Sequence, residues 1–149
     1  MGAGNDRLAA SVEREHGWLL DRLRSLDHCL DTIFYHGEVC SDLRGFGGLL
    51  RRCQELQDTL AHHIPEEEEV FERLEERREL RPLLASLVAE HRSLMQALDK
   101  CLKTLQALQD GDVLPENLFL LQDRLRLLSA TLQRHITTEN EKVFARLAA

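Results

Sequence analysis

Apolar residues recur every three or four positions along most of the chain, which is the spacing of one face of an α-helix. No stretch shows a sustained two-residue alternation, so we expect no β-sheet. Capping residues, prolines and glycines divide the apolar pattern into segments. The predicted helices span about residues 5–34, 41–78, 82–111 and 115–147.

Four helices of roughly 25–35 residues with short connections predict an all-α fold, an up-down-up-down antiparallel four-helix bundle. We expect residues 1–149 to form a single domain with an internal two-fold repeat of helical hairpins, at about 5–79 and 82–147. Pro65 lies inside the second predicted helix. Because proline removes one backbone hydrogen bond and clashes with the carbonyl of Ala61, we expect a kink there.

The composition is that of an ordered globular protein, with 43% hydrophobic and 30% charged residues and a net charge of -7. Acidic and basic residues are interspersed, which argues against a nucleic-acid partner or an anionic membrane surface. No apolar run is long enough to span a membrane and the start of the chain has no signal pattern, so the expected location is the cytoplasm. The four cysteines form no C-x-x-C pair and are expected to be buried or half-buried, although a redox pair stays open.

Residues 62–74 and 135–147 repeat one another without a gap, and seven of the thirteen positions are identical. In each copy a histidine is followed four residues later by a glutamate, so the two side chains share one helix face and can reach one metal ion. The identical pairs are His62/His135, Glu66/Glu139, Glu68/Glu141, Val70/Val143, Phe71/Phe144, Arg73/Arg146 and Leu74/Leu147.

Each predicted hairpin also carries one histidine on its first helix, His16 and His91. Counting residues along antiparallel helices brings these histidines and the repeated motifs to one level, roughly 15 Å from the same end of the bundle. Burying so many ionisable groups is costly unless they pair or bind metal, and imidazole with carboxylate suits iron or zinc. The predicted metal ligands are His16, His62, Glu66, His91, His135 and Glu139.

Two residues adjacent to the predicted ligands His62 and Glu66 are alternative ligands. His63 points about 100° away from His62 on an ideal helix, which favours a surface position over one behind the ligands. Glu67 would replace Glu66 only if the helix pitch changed locally, which Pro65 would permit. Glu13 and His16 have the spacing found in ferritin-like sites, but the third helix does not repeat it, because Val88 stands three residues before His91.

The motif set, His16, His62-x-x-x-Glu66, His91 and His135-x-x-x-Glu139 followed by Phe71 and Phe144, resembles the hemerythrin-like (HHE cation-binding) family over nearly the whole chain. The resemblance implies a four-helix bundle that holds two Fe ions in a non-haem di-iron centre with an oxo or hydroxo bridge. It further implies that the four histidines are terminal ligands and that the two glutamates bridge the irons. About one position per iron would stay open for O2, NO or peroxide.

One position departs from the oxygen-carrying members of that family, because Met95 stands where they have a second histidine on the third helix. The remaining four-His, two-Glu set is closer to bacterial members linked with repair of iron–sulfur centres. Three functions therefore stay open, and whether any of them is enzymatic is not decided by the sequence. They are a di-iron protein that binds or reacts with O2, NO or peroxide in sensing or stress protection, an iron donor or cluster-repair factor, and a metal-stabilised sensor or interaction module with an unknown protein partner.

Overall fold

The computed structural model describes residues 3–35, 38–39, 45–111 and 115–147. Each of its long helices packs against two others, so that the helices close a ring in chain order. This arrangement confirms the predicted all-α four-helix bundle. The long helices are α1 (Ala3–Ile33), α2 (Gly45–Leu74), α3 (Arg81–Gln109) and α4 (Pro115–Glu139).

The helix ends differ from the predicted ones in two places. After Ile33 the chain forms a short antiparallel pair, β1 (Phe34–Tyr35) with β2 (Glu38–Val39), where no strand was expected. Two residues per strand are too few for the alternating pattern by which a strand is recognised. The helix α2 ends at Leu74 rather than near Arg78, and its predicted start at residues 41–42 lies outside the described residues.

The last helix contains an irregularity that the sequence pattern did not predict. α4 ends at Glu139 and continues as a π-helix, Asn140–Phe144, before a final turn, α5 (Ala145–Leu147). A π-helix hydrogen-bonds over five residues instead of four, so it accommodates one extra residue without breaking the helix. Pro65, in contrast, does not end α2, which continues as one helix to Leu74.

The hydrophobic core has two parts along the bundle axis. The larger apolar cluster contains Leu19 on α1 and Leu94 on α3, and the smaller one contains Val12 on α1 and Leu87 on α3. Between these clusters each helix carries buried histidine or glutamate side chains. A polar layer therefore crosses the bundle between two apolar regions, at one common level as the residue counting predicted.

Two further sequence expectations can be compared with the described residues. Cys53 and Cys101 are buried and Cys29 is half-buried, whereas Cys40 lies outside the described residues. Helix α3, predicted to end near residue 111, stops at Gln109, and Gly111 follows with a positive φ of 81°, a conformation common just after a helix end. Among the helices that the structure describes, none is long and apolar enough to cross a membrane.

Candidate metal centre

Six polar side chains meet in the layer between the two apolar clusters. Each of the six is at most 4% exposed. Helices α1 and α3 each contribute one histidine, whereas α2 and α4 each contribute a histidine and a glutamate four residues later. The six are His16, His63, Glu67, His91, His135 and Glu139.

Glu67 lies at the middle of this cluster, and its two carboxylate oxygens face different histidines. Oε2 lies 2.8 Å from Nε2 of His16 and 2.7 Å from Nε2 of His63. Oε1 lies 2.7 Å from Nε2 of His91. The side chains thus form two metal-ligand groups, each with its ligating atoms within 4.8 Å of one another, and Glu67 belongs to both. The groups are His16, His63 and Glu67, and Glu67, His91, His135 and Glu139.

Glu139 is the second carboxylate that reaches both groups. Its Oε1 lies 2.7 Å from Nε2 of His135, an ion-pair contact without hydrogen-bond geometry, and 3.9 Å from Nε2 of His16. In the part of the chain that the structure describes, the buried side-chain atoms without a hydrogen-bond partner are Nε2 of His135 and Oε2 of Glu139. Leaving a buried polar atom unsatisfied costs about 1–3 kcal/mol, a cost that a bound metal ion would remove. The donor set and these two atoms therefore fit a metal.

Each of the four imidazoles also contacts an acceptor outside the cluster through Nδ1. If Nδ1 carries the proton and donates it outward, Nε2 presents its lone pair to the centre, as a metal ligand requires. The arrangement is two-fold symmetric, because Glu15 and Glu90 each precede a histidine of the cluster, and Glu68 and Asn140 each follow a glutamate of the cluster. The Nδ1 contacts are His16–Asn140 (2.6 Å), His63–Glu15 (2.5 Å), His91–Glu68 (3.2 Å) and His135–Glu90 (3.0 Å).

The proximity of the two buried carboxylates shifts their pKa values in opposite directions. Burial, together with the hydrogen bond to Glu67, raises the pKa of Glu139 to about 10. Burial alone would also raise the pKa of Glu67, but hydrogen bonds from Glu139 and from the histidines hold it well below its usual value. Burial lowers the pKa of His135, yet the nearby carboxylates of Glu139 and Glu67 outweigh this and raise it to about 10. Because metal ligands must be deprotonated, a metal ion bound here would release any protons that these groups hold.

Four predicted ligands, His16, His91, His135 and Glu139, lie together in the cluster, and their role as ligands stays a prediction. The structure does not bring the other two, His62 and Glu66, into it. Their side chains are 75% and 36% exposed and lie 3.5 Å apart on the outside of α2. This corrects their predicted placement inside the bundle, because the adjacent residues His63 and Glu67 fill the two inner places. With Glu15, His62 and Glu66 form a separate group at the surface.

The π-helix explains why the repeat pointed to the wrong neighbours. Phe71 and Phe144 are equivalent, since both are buried and their ring centroids lie 6.4 Å apart. His63 precedes Phe71 by eight residues, but His135 precedes Phe144 by nine, and the π-helix absorbs the extra residue. An alignment without a gap therefore matches the phenylalanines and misplaces the α2 histidine and glutamate by one position.

A signal for the correct residues was nevertheless present in the sequence. Leu56, Leu60, His63 and Glu67 follow one another at intervals of four, three and four residues, which keeps them on the apolar face of α2. His62 and Glu66 fall outside that spacing. The helical periodicity of α2 thus predicts the inward side chains better than the repeat does.

A small cavity of about 10 Å³ lies within the cluster. A cavity of this size corresponds to about one water molecule. Besides the six polar residues it is lined by aliphatic side chains, which are Leu19, Leu60, Ile64, Leu94, Leu132 and Ile136. Met95, at the position where oxygen carriers have a fifth histidine, packs against the larger apolar cluster.

The comparison with protein families agrees with this geometry. A family model described as the hemerythrin HHE cation-binding domain matches residues 7–147. No curated protein and no solved structure matched the chain. Because the family match covers nearly the whole length of the chain, the chain belongs to the hemerythrin HHE cation-binding domain family.

Proposed function

We propose that this bundle holds two iron ions in a non-haem di-iron centre and that the centre binds or reacts with O2, NO or peroxide. The observation that carries the proposal is the position of Glu67, whose two oxygens face two different groups of histidines. One ion would be held by His16 and His63, the other by His91 and His135. Glu67 and Glu139 would be shared by both ions.

The chemistry of the donors favours iron. Four neutral imidazoles with two carboxylates form a nitrogen–oxygen set that suits iron, and a bridging carboxylate is a common ligand of paired ions in helical bundles. The described cluster contains no thiolate, the ligand that is typical of structural zinc sites. Iron at this place would supply a reversible change of oxidation state and coordination positions for a small exogenous ligand.

The size and lining of the centre favour a ligand of only a few atoms. The cavity of about 10 Å³ leaves no room for an organic substrate beside the ions. Four histidines and two carboxylates provide at most eight donor atoms, whereas two six-coordinate ions need twelve, so some positions are left for solvent and for a small ligand. The aliphatic side chains around the cavity exclude bulk water from that side of the centre.

The test is to mix the anaerobic, iron-loaded protein with O2, NO and peroxide in a stopped-flow instrument and to follow the absorbance. We expect a rapid spectral change with at least one of the three. The variant His62→Ala should react like the wild type, whereas His63→Ala should lose the reaction, because only His63 faces the centre. Protein that carries two irons and shows no absorbance change with any of the three ligands would refute the proposed function.

A further inference from the structure

The four acceptors behind the imidazoles are not chemically equal. Glu15, Glu68 and Glu90 are carboxylates, whereas Asn140 is a neutral amide. Asn140 and Glu68 occupy equivalent places, each directly after a glutamate of the cluster and each in contact with Nδ1 of the histidine from a neighbouring helix. The two-fold symmetry of the bundle is therefore broken at this one pair of acceptors.

The chemical nature of the acceptor affects the imidazole that donates to it. A carboxylate accepts a charge-assisted hydrogen bond and draws the Nδ1 proton outward, which makes Nε2 a more electron-rich ligand. A neutral amide accepts a weaker hydrogen bond, so it makes Nε2 less electron-rich than a carboxylate does. Both histidines of one group, His91 and His135, have carboxylate acceptors, whereas in the other group only His63 has one. Less electron density is thus supplied through His16, whose acceptor is Asn140.

We propose that Asn140 makes the two metal positions of the centre electronically inequivalent. Asn140 acts as a positioning residue, through His16 and without touching the metal. The ion beside His16 and His63 keeps the reduced state more readily, and the ion beside His91 and His135 is oxidised first. This inference rests on the proposed di-iron centre. Glu139 also supplies more negative charge to the position beside His135, since its Oε1 lies closer to His135 than to His16.

The test compares two substitutions that change one acceptor each. Asn140→Asp adds a carboxylate behind His16 with almost no change of shape, and Glu68→Gln removes the one behind His91. Each substitution makes the two positions more alike, so each should lower the stability constant of the mixed-valence, one-electron-oxidised state at least tenfold. The two substitutions should shift the mean reduction potential in opposite directions. Asn140→Asp should lower it, and Glu68→Gln should raise it. The measurement is a redox titration of the iron-57 protein, followed by electron paramagnetic resonance and Mössbauer spectroscopy.

Matched controls separate this electronic effect from a change in total charge or in folding. Thr137→Asp and Glu69→Gln make the same charge changes at exposed positions of α4 and α2 that face away from the imidazoles, and they should leave the titration unchanged. The double variant Asn140→Asp/Glu68→Gln should raise the stability of the mixed-valence state above that of either single variant, because it exchanges the two acceptor types and makes the two positions unlike again.

Two results would overturn the proposal, and they can be told apart. If the wild-type protein binds no pair of irons, the proposed function fails and this inference fails with it. If the wild type forms a mixed-valence state and neither Asn140→Asp nor Glu68→Gln lowers its stability constant, the di-iron centre stands and the role of Asn140 is refuted.

Discussion

Each of the four buried imidazoles turns Nε2 to the central carboxylates and Nδ1 to an acceptor nearer the surface. Aromatic rings support two of them from the smaller apolar cluster. Phe71 stacks parallel to His91 at a centroid distance of 6.0 Å, and Phe144 meets His16 edge-on at 5.6 Å. A ring held in this way cannot rotate without losing several contacts, so the ligand atoms are oriented before any metal binds.

At the same scale, the adjacent glutamates of α2 give a matched pair of variants. Glu67→Gln keeps the shape of the side chain but removes the charge that both ligand groups share, so we expect iron affinity to fall more than about 100-fold. Glu66→Gln alters only a partly exposed carboxylate and should leave the affinity unchanged. The measurement is competition for iron with a chelator of known affinity. Equal losses in the two variants would contradict the placement of Glu67 at the centre.

The element that sets this placement is the π-helix at Asn140–Phe144. It lets His135 and Glu139 face the centre while Val143 and Phe144 still reach the smaller apolar cluster. Counted from the glutamate, these two residues come one position later than Val70 and Phe71 do in α2. Regular α-helix gives the same result in α2, where His63, Glu67, Val70 and Phe71 are all buried. The two hairpins thus bury the same types of side chain, although the segment from the glutamate to the phenylalanine is one residue longer in the second hairpin.

This comparison predicts opposite outcomes for two single-residue deletions. Deleting the exposed Lys142 should convert the π-helix to an α-helix with the same inward side chains, so the free energy of unfolding should fall by less than about 2 kcal/mol. Deleting the exposed Glu69 from α2 should rotate Val70, Phe71 and Leu74 by about 100° and cost more than about 4 kcal/mol, because these side chains leave the core.

Chemical denaturation of the two deletion variants, both without metal, measures this difference. Because Glu69 and Lys142 are both exposed and lie at similar places in the repeat, each deletion is the control for the other. Equal destabilisation by the two deletions would contradict the account of the π-helix as the holder of one extra residue.

The same elements show how much the sequence could predict and why. The four helices follow from apolar periodicity, and His16, His91, His135 and Glu139 could be placed because each continues the apolar face of its helix. His63 and Glu67 were considered but ranked below His62 and Glu66, because the repeat was aligned without a gap and the π-helix that shifts it has no signal in the apolar periodicity. The role of Asn140 could not be predicted, because it depends on the orientation of one imidazole in the folded bundle.

Across the whole molecule, the polar layer interrupts an otherwise apolar core. On α1 the buried side chains change from Val12 to His16 and then to Leu19, and on α3 from Leu87 to His91 and then to Leu94. Burying this layer without a metal costs free energy, since two of its polar atoms have no hydrogen-bond partner among the described residues. A metal ion bound by this layer would offset that cost.

The number of iron ions per chain tests the central claim most directly. Protein reconstituted with ferrous iron under anaerobic conditions and then desalted should carry two irons per chain, measured by elemental mass spectrometry against the protein concentration. Two ions follow from the two ligand groups that share Glu67. A content of one ion or fewer per chain, or a single zinc retained in place of iron, would contradict the di-iron account.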